Sequence, residues 1–172
     1  MFENLIGLIF LLFSYVIPMY IANSSPVIIH GKTPIDFGKN FKGKRILGNG
    51  KSIVGAIAGI FCGTIAGLVF SLIFPSIFIV IPNYLFFAFI LSIGAISGDI
   101  IKSFFKRRMG IESGKEWIIA DQLDFVVGAI ALSLIIRIPE WQIIVCLLIF
   151  TLIIHRLTNY LAFNLKLKNV PW

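Results

Sequence analysis

Asp99, Lys102, Ser103 and Lys106 lie three and four residues apart in the stretch GDIIKSFFKRRMG. If that stretch is helical, they share one face. Asp121 and Asp124 follow in DQLD, three apart, and share a face at the start of the next apolar run. Carboxylates beside several cations suit a divalent metal with a phosphorylated ligand between them. Magnesium takes one or two carboxylates plus substrate phosphates. In phosphoryl and nucleotidyl transfer the protein mainly positions groups and neutralises charge. An ordinary reading fits the same residues. Asp121 and Asp124 serve as an N-cap and a first-turn acid, the run Lys102, Lys106, Arg107, Arg108 serves as a topology signal, and Asp99 pairs with Lys102 or Lys106. Spacing alone leaves both readings open.

Other constellations are weaker. GNGKS, Gly48 to Ser52, resembles the tail of a phosphate-binding P-loop, but Arg45 stands where that pattern needs its first glycine. A Walker-type nucleotidase is excluded. Lys51 and Ser52 remain candidates, because a lysine and a hydroxyl at a helix start can still meet phosphate. His155 and Asn159 are four apart on one helical face, with Arg156 beside them. A lone histidine in an apolar run is more often a packing partner than a catalyst. Cys62 and Cys146 both fall in apolar runs and read as small hydrophobes.

The elements that position these residues must be membrane helices. The 172 residues are 58% hydrophobic and only 13% charged, against about 25% charged in soluble domains. The mean hydropathy is +0.97. The predicted class is an all-α polytopic membrane protein, residues 1–172 forming one domain. Apolar runs predict five transmembrane helices in one bundle: Phe2 to Ile21, Ile53 to about Phe74, Ile77 or Asn83 to Ser97, about Leu123 to Ile136, and Trp141 to about Phe163. Glu3 stands where a signal peptide would be basic, so the first run reads as a retained span.

The net charge is +7. Lys32, Lys39, Lys42, Lys44, Arg45 and Lys51 precede the second span, and Lys102, Lys106, Arg107, Arg108 and Lys115 follow the third. With the basic C-terminal tail they lie on one side, which the positive-inside rule makes cytoplasmic. That predicts the N-terminus outside, the C-terminus in the cytoplasm, and a cell-membrane protein whose active site faces the cytoplasm. Basic patches of this kind suit anionic head groups or a nucleotide polyphosphate. Nucleic acid is excluded, since the cations sit in short loops between spans. Gly55, Gly59, Gly63 and Gly67 form a smooth groove along the second span, for packing within the chain or, alternatively, for a homodimer through that face.

GDIIKSFFKRRMGI followed by DQLD resembles the CDP-archaeol synthase family, archaeal relatives of the phosphatidate cytidylyltransferases. The stretches ANSSPVIIHGKTPIDFGKNF, GNGKSIVGAIAG and HRLTNYLAFNLKLKNVPW carry the same likeness, in order, over nearly the whole chain. The resemblance implies a five-span bundle with a polar, cytoplasm-facing cavity. It implies transfer of CMP from CTP to an isoprenoid glycerophospholipid acid, 2,3-bis-O-geranylgeranyl-glycerol 1-phosphate, giving CDP-archaeol and pyrophosphate with Mg2+. Asp99, Asp121 and Asp124 become the metal carboxylates, catalytic together with Lys102. Lys51, Ser52, Ser103, Lys106 and Arg107, again with Lys102, become contacts to the CTP phosphates. There are departures. WIIA precedes DQLD where the broader cytidylyltransferase signature has His-Gly-Gly before Asp-Arg-x-Asp, which favours the archaeal branch. Ser52 stands where threonine is common, and Asn49 where aspartate often stands. The alternatives are a phosphatidate cytidylyltransferase acting on diacyl lipid and a small non-enzymatic transporter.

Overall fold

The computed structural model describes residues 2–112 and 115–166. The tail from 167 onward, part of the topology expectation, lies outside them. The first helix, α1 (Phe2–Ile28), continues past the predicted end at Ile21 and carries Pro18 and Pro26 inside it. Each proline lacks an N–H, so the carbonyls four residues back, Ser14 and Ala22, lose their helical donor. Tyr84 replaces one, its hydroxyl donating to the Ser14 carbonyl at 2.8 Å.

The loop after α1 contains a hairpin of β1 (Asn40–Phe41) and β2 (Lys44–Arg45). Its two connecting residues, Lys42 and Gly43, both have positive φ, as a tight type I′ connection requires. The helix α2 (Ile53–Ile73) begins at Ser52, whose hydroxyl accepts the Gly55 N–H at 3.0 Å. Gly55, Gly59, Gly63 and Gly67 are all buried. A Cβ there would strike Pro26, Ala22 and Pro18 of α1, or Ile96, Ser92 and Ala88 of the fourth helix. The groove is therefore filled from within the chain. This corrects the homodimer alternative, because no second copy can approach that face.

A single turn, α3 (Ile77–Val80), leads into α4 (Tyr84–Arg108), which fixes the third predicted span at Tyr84 rather than Ile77. It runs unbroken beyond Ser97, so Asp99 through Arg108 are helical. The helix α5 (Ala120–Ser133) has 14 residues, and α6 (Trp141–Asn164) completes the bundle. Among the described residues, α1, α2, α4 and α6 are long and apolar enough to cross a membrane. At a rise of about 1.5 Å per residue α5 measures roughly 21 Å, short of the ~30 Å hydrocarbon core.

The core sits where α1, α4, α5 and α6 meet. Tyr15, Met19, Phe87, Phe125 and Leu147 are fully or almost fully buried, and Tyr15 meets Phe87 edge-on at 4.9 Å. Ile57, Phe61, Leu72 and Ile79 point outward, as lipid-facing side chains do.

The contact between α4 and α5 is made by backbone. A Cβ on Gly94 would meet Ala129 and the Gly128 carbonyl, one on Gly98 the Asp124 carbonyl, and one on Gly128 the Gly94 carbonyl and Gly98. Gly98→Ala is expected to lower stability by about 1–3 kcal/mol, since backbone on the far side cannot yield as a flexible side chain would. Gly50→Ala, where a Cβ meets nothing, serves as the control. Thermal unfolding in detergent checks this, and equal melting of the two variants refutes it.

Candidate active site

The glycine contact sets Asp99, on α4, beside Asp124, on α5. Lys102 is one turn beyond Asp99 and reaches into the space between the helices. Its Nζ lies 2.7 Å from Asp121 Oδ1, 2.9 Å from Asp124 Oδ2 and 3.4 Å from Asp99 Oδ1. Lys106, a further turn along, donates to Asp121 Oδ2 at 2.6 Å. Lys51, from the end of the first loop, donates to Asp99 Oδ2 at 2.5 Å. Three carboxylates and three ammonium groups thus form one chain whose formal charges cancel. The Asp124 carboxylate is 3% exposed and the Lys102 side chain 14%. Little water screens these contacts, and removing one member strands the others. Asp121 also accepts the Trp117 N–H at 2.7 Å, so it closes the turn before α5 as well as holding two lysines. Asp121 thus combines a capping contact with ion pairs to two lysines.

The first loop is built around Asp36, a residue that sequence reasoning passed over. Its carboxylate accepts from Arg45 Nη2 at 2.7 Å and Nε at 3.3 Å, and from the backbone N–H groups of Gly38, Leu47 and Gly48. Burial acts to raise this carboxyl group's pKa. The Arg45 guanidinium and the three backbone donors outweigh it and hold the group well below the ordinary carboxylate range. Arg45 continues the chain to Asn49, donating to its Oδ1 at 2.8 Å. At the loop's two ends, Ile35 N–H donates to the Lys51 carbonyl and Ile53 N–H to the Thr33 carbonyl. Lys51 therefore projects from paired backbone.

Arg108 fastens this loop to the end of α4. It donates to the carbonyls of Phe41, Lys44 and Arg45, and its guanidinium lies 5.3 Å from the Phe41 ring centroid and 5.2 Å from that of Phe104. The basic run therefore divides by function along the helix. Lys102 and Lys106 face the carboxylates, and Arg108 is a clasp. Arg107 lines a cleft of about 400 Å³ with Lys44, Arg45, Gly48 and Asn49.

The remaining candidates are placed as follows. Ser52 Oγ accepts from Gly55 and Gly31 N–H groups and keeps its own proton to donate. Ser103 Oγ donates to the Asp99 carbonyl at 2.8 Å, within its own helix. His155 and Asn159 meet at 3.2 Å, and with Arg156 they line a second cavity, of about 590 Å³, that also reaches Asp121. Asp36 is the one acid in a basic loop, a weak signal that does not report its partners. Its partner Arg45 could not be singled out among six cations.

Among the described residues no group of three His, Cys, Asp or Glu side chains forms an open metal cage, because the Lys102 ammonium stands between the three carboxylates. The donor set nevertheless fits a magnesium ion: hard carboxylate oxygens that already converge on one cationic centre. Asp99, Asp121 and Asp124 are the residues that would hold it.

The Asp36 cradle predicts a pH dependence. A carboxyl group whose pKa is depressed in the folded state adds stability above its unfolded value, near 3.9, and loses it as pH falls below that. Exchange protection of the Leu47 and Gly48 amides should hold from pH 8 to 5 and fall below about pH 4. In Asp36→Asn it should already be low at neutral pH. Unchanged protection in that variant refutes the cradle.

Comparison with known proteins agrees with this architecture. Residues 5–172 match the family model described as CarS-like, CDP-archaeol synthase. The CDP-archaeol synthase of Methanocaldococcus jannaschii is 42% identical over 166 residues, covering 92% of this chain and 94% of that protein. The CDP-archaeol synthase of Pyrococcus abyssi is 43% identical, covering 95% and 98%. A solved structure, described as an intramembrane enzyme for archaeal membrane lipid biosynthesis, superposes with a TM-score of 0.78 at 34% identity, covering 86% of this chain and 91% of its own. With a family model spanning nearly its full length and relatives above 40% identity, the chain belongs to the CDP-archaeol synthase family.

Proposed function

We propose that this protein is a CTP-dependent lipid cytidylyltransferase that forms CDP-archaeol from CTP and 2,3-bis-O-geranylgeranyl-glycerol 1-phosphate, releasing pyrophosphate. The observation that carries the reading is the Lys102-centred network, six charged side chains from three segments of a family member's bundle.

In the reaction, an oxygen of the lipid phosphate attacks the α-phosphorus of CTP, the bond to the bridging oxygen breaks, and pyrophosphate leaves. The nucleophile is already an anion near neutral pH, so no side chain has to remove a proton. The difficulty is to bring two anions together. A magnesium ion held by Asp99, Asp121 and Asp124, when bound, supplies charge neutralisation to the triphosphate. Lys51, Lys102 and Lys106 end on those same carboxylates, within reach of anything the carboxylates hold. Arg107 adds a cation from the neighbouring cleft. Preorganised cations of this kind stabilise charge on the leaving pyrophosphate without further reorganisation. Ser52 retains its O–H for a phosphate oxygen, and Ser103 contributes once it releases the Asp99 carbonyl.

The proposed topology has five crossings, with the N-terminus outside and the site facing the cytoplasm. The contacts of α5 support the count. Its first turn meets Lys102 and Lys106 near one end of α4. Just past its other end, Arg137 donates to the Val80 carbonyl at 2.8 Å, beside the opposite end of α4. Helix and following turn together therefore traverse the bundle.

Purified protein in detergent should move label from CTP into chloroform-soluble lipid only when a divalent metal is present, and a chelator should abolish the transfer. An absence of incorporation with both isoprenoid and diacyl acceptors would sink the reading. Asp124→Asn should lower turnover roughly 100-fold or more while the protein still folds, as loss of one preorganised electrostatic group does. Near-normal turnover would return Asp124 to a structural role. Lys102→Met should cost stability of about 3 kcal/mol or more, since three mostly buried carboxylates lose their shared partner. An unchanged melting temperature would show that the network does not depend on Lys102.

A further inference from the structure

We infer that the 590 Å³ cavity between the start of α5 and the second half of α6 seats the acceptor lipid, with Arg156 holding its phosphate. The assignment rests on the cytidylyltransferase reading and adds where the second substrate binds.

Three observations point there. The first is how α6 packs. Its buried residues are Ile143, Leu147 and Thr151, all in its first half. Tyr20 donates to Thr151 at 2.9 Å and ties α6 to α1 at that level. Beyond Thr151 no residue of the helix is fully buried, although His155 still meets the Phe125 ring of α5. It is the least buried of the four long helices, at 17% of its apolar window against 28% to 44% in the others. A groove that opens where a spanning helix parts from the bundle opens sideways, toward lipid.

The second is the lining. Leu152, Ile153 and Leu157 form an apolar wall, and each is itself partly exposed, at 36%, 56% and 53%. His155, Arg156 and Asn159 supply polar groups from the same helix. An apolar wall with a cation beside it matches a molecule with hydrocarbon tails and a phosphomonoester head. A guanidinium fork fits phosphate in bidentate fashion. Two carboxylates, Glu116 and Asp121, also line the cavity; Asp121 is already paired with Lys102 and Lys106, so Glu116 is the one that opposes a dianion beside Arg156.

The third is continuity. Asp121 lines this cavity and also holds Lys102 and Lys106. A phosphate at Arg156 would therefore lie next to the network, on a different side from the cleft of Lys44, Asn49 and Arg107. Among the described residues that cleft is lined by one large apolar side chain, Ile111, and by Lys44, Arg45 and Arg107 against Glu112, and it suits a water-soluble polyphosphate better than a tail. The two substrates would approach the carboxylates from two separate openings.

Steady-state kinetics of the full chain in mixed micelles test the assignment, with either CTP or the lipid acid varied while the other is saturating. Arg156→Ala should raise the KM for lipid acid about tenfold or more, equivalent to at least 1.4 kcal/mol of binding, and leave the KM for CTP within twofold. Arg156→Lys should recover part of the loss. Leu157→Trp, at an exposed position that leaves the core intact, should raise the lipid KM by filling the groove. In wild type without CTP, a lipid acid carrying a diazirine in its tail should crosslink to residues 152–160. If wild type forms no product, the cytidylyltransferase reading fails. If wild type turns over but the variants leave the lipid KM within twofold, raise both KM values together, or the crosslinks fall elsewhere, the groove assignment fails and the reading stands.

Discussion

Everything in this site depends on two helices touching without side chains between them. Gly98 of α4 lies against the Asp124 carbonyl of α5, and Gly94 and Gly128 continue the contact. Helices at ordinary spacing would hold Asp99 and Asp124 apart, and no single lysine could reach both. At this separation the Lys102 ammonium serves three carboxylates at once. In lipid, where apolar surface gives no net drive to association, close backbone packing is also the main source of helix–helix attraction. The same glycines therefore supply both the cohesion of the α4–α5 pair and the geometry of the charges at its end.

Those charges are balanced before any ligand arrives. Three acids and three lysines neutralise one another, which lets a dense ionic network persist in a mostly buried setting where an unpaired charge would be costly. A network of this kind is also exchangeable: each group can trade its internal partner for an external one of the same sign. The first loop reaches the network through Lys51 alone. Its remaining contacts with the site are indirect, through Asp36 and the Arg108 clasp, so the loop's fold and its contribution to the charge network are physically separable.

Much of this was legible from residue order. The three- and four-residue spacing of Asp99, Lys102 and Lys106 reports one helical face whenever the segment is helical, and it is. The glycine run of α2 signalled tight packing, and the within-chain alternative proved to be the occupied one. The second small-xxx-small pair, Gly94 and Gly98, carries the same signal in a single repeat, too short to stand out beside the four glycines of α2. The extension of α1 through two prolines was hidden, since proline normally reads as a helix boundary; Tyr84 rescues the freed Ser14 carbonyl from 70 residues away, which no local rule reports. The expected fourth span, about Leu123 to Ile136, emerged as a helix of the same length shifted to Ala120–Ser133, because its last apolar residues form a turn. Asp36 and Arg108 were invisible as a pair of organisers, since their partners are mostly backbone atoms, which every residue possesses.

That last property of Arg108 bears on how such a loop can change over generations. The clasp grips carbonyl oxygens at positions 41, 44 and 45 and, within the loop, asks for a particular side chain at Phe41, where a ring lies by the guanidinium as that of Phe104 does on α4. Position 44 is thereby anchored through its main chain while its side chain faces the basic cleft. Replacements there can alter what the cleft recognises without loosening the loop. An anchor that is indifferent to sequence leaves the recognition surface above it free to diversify.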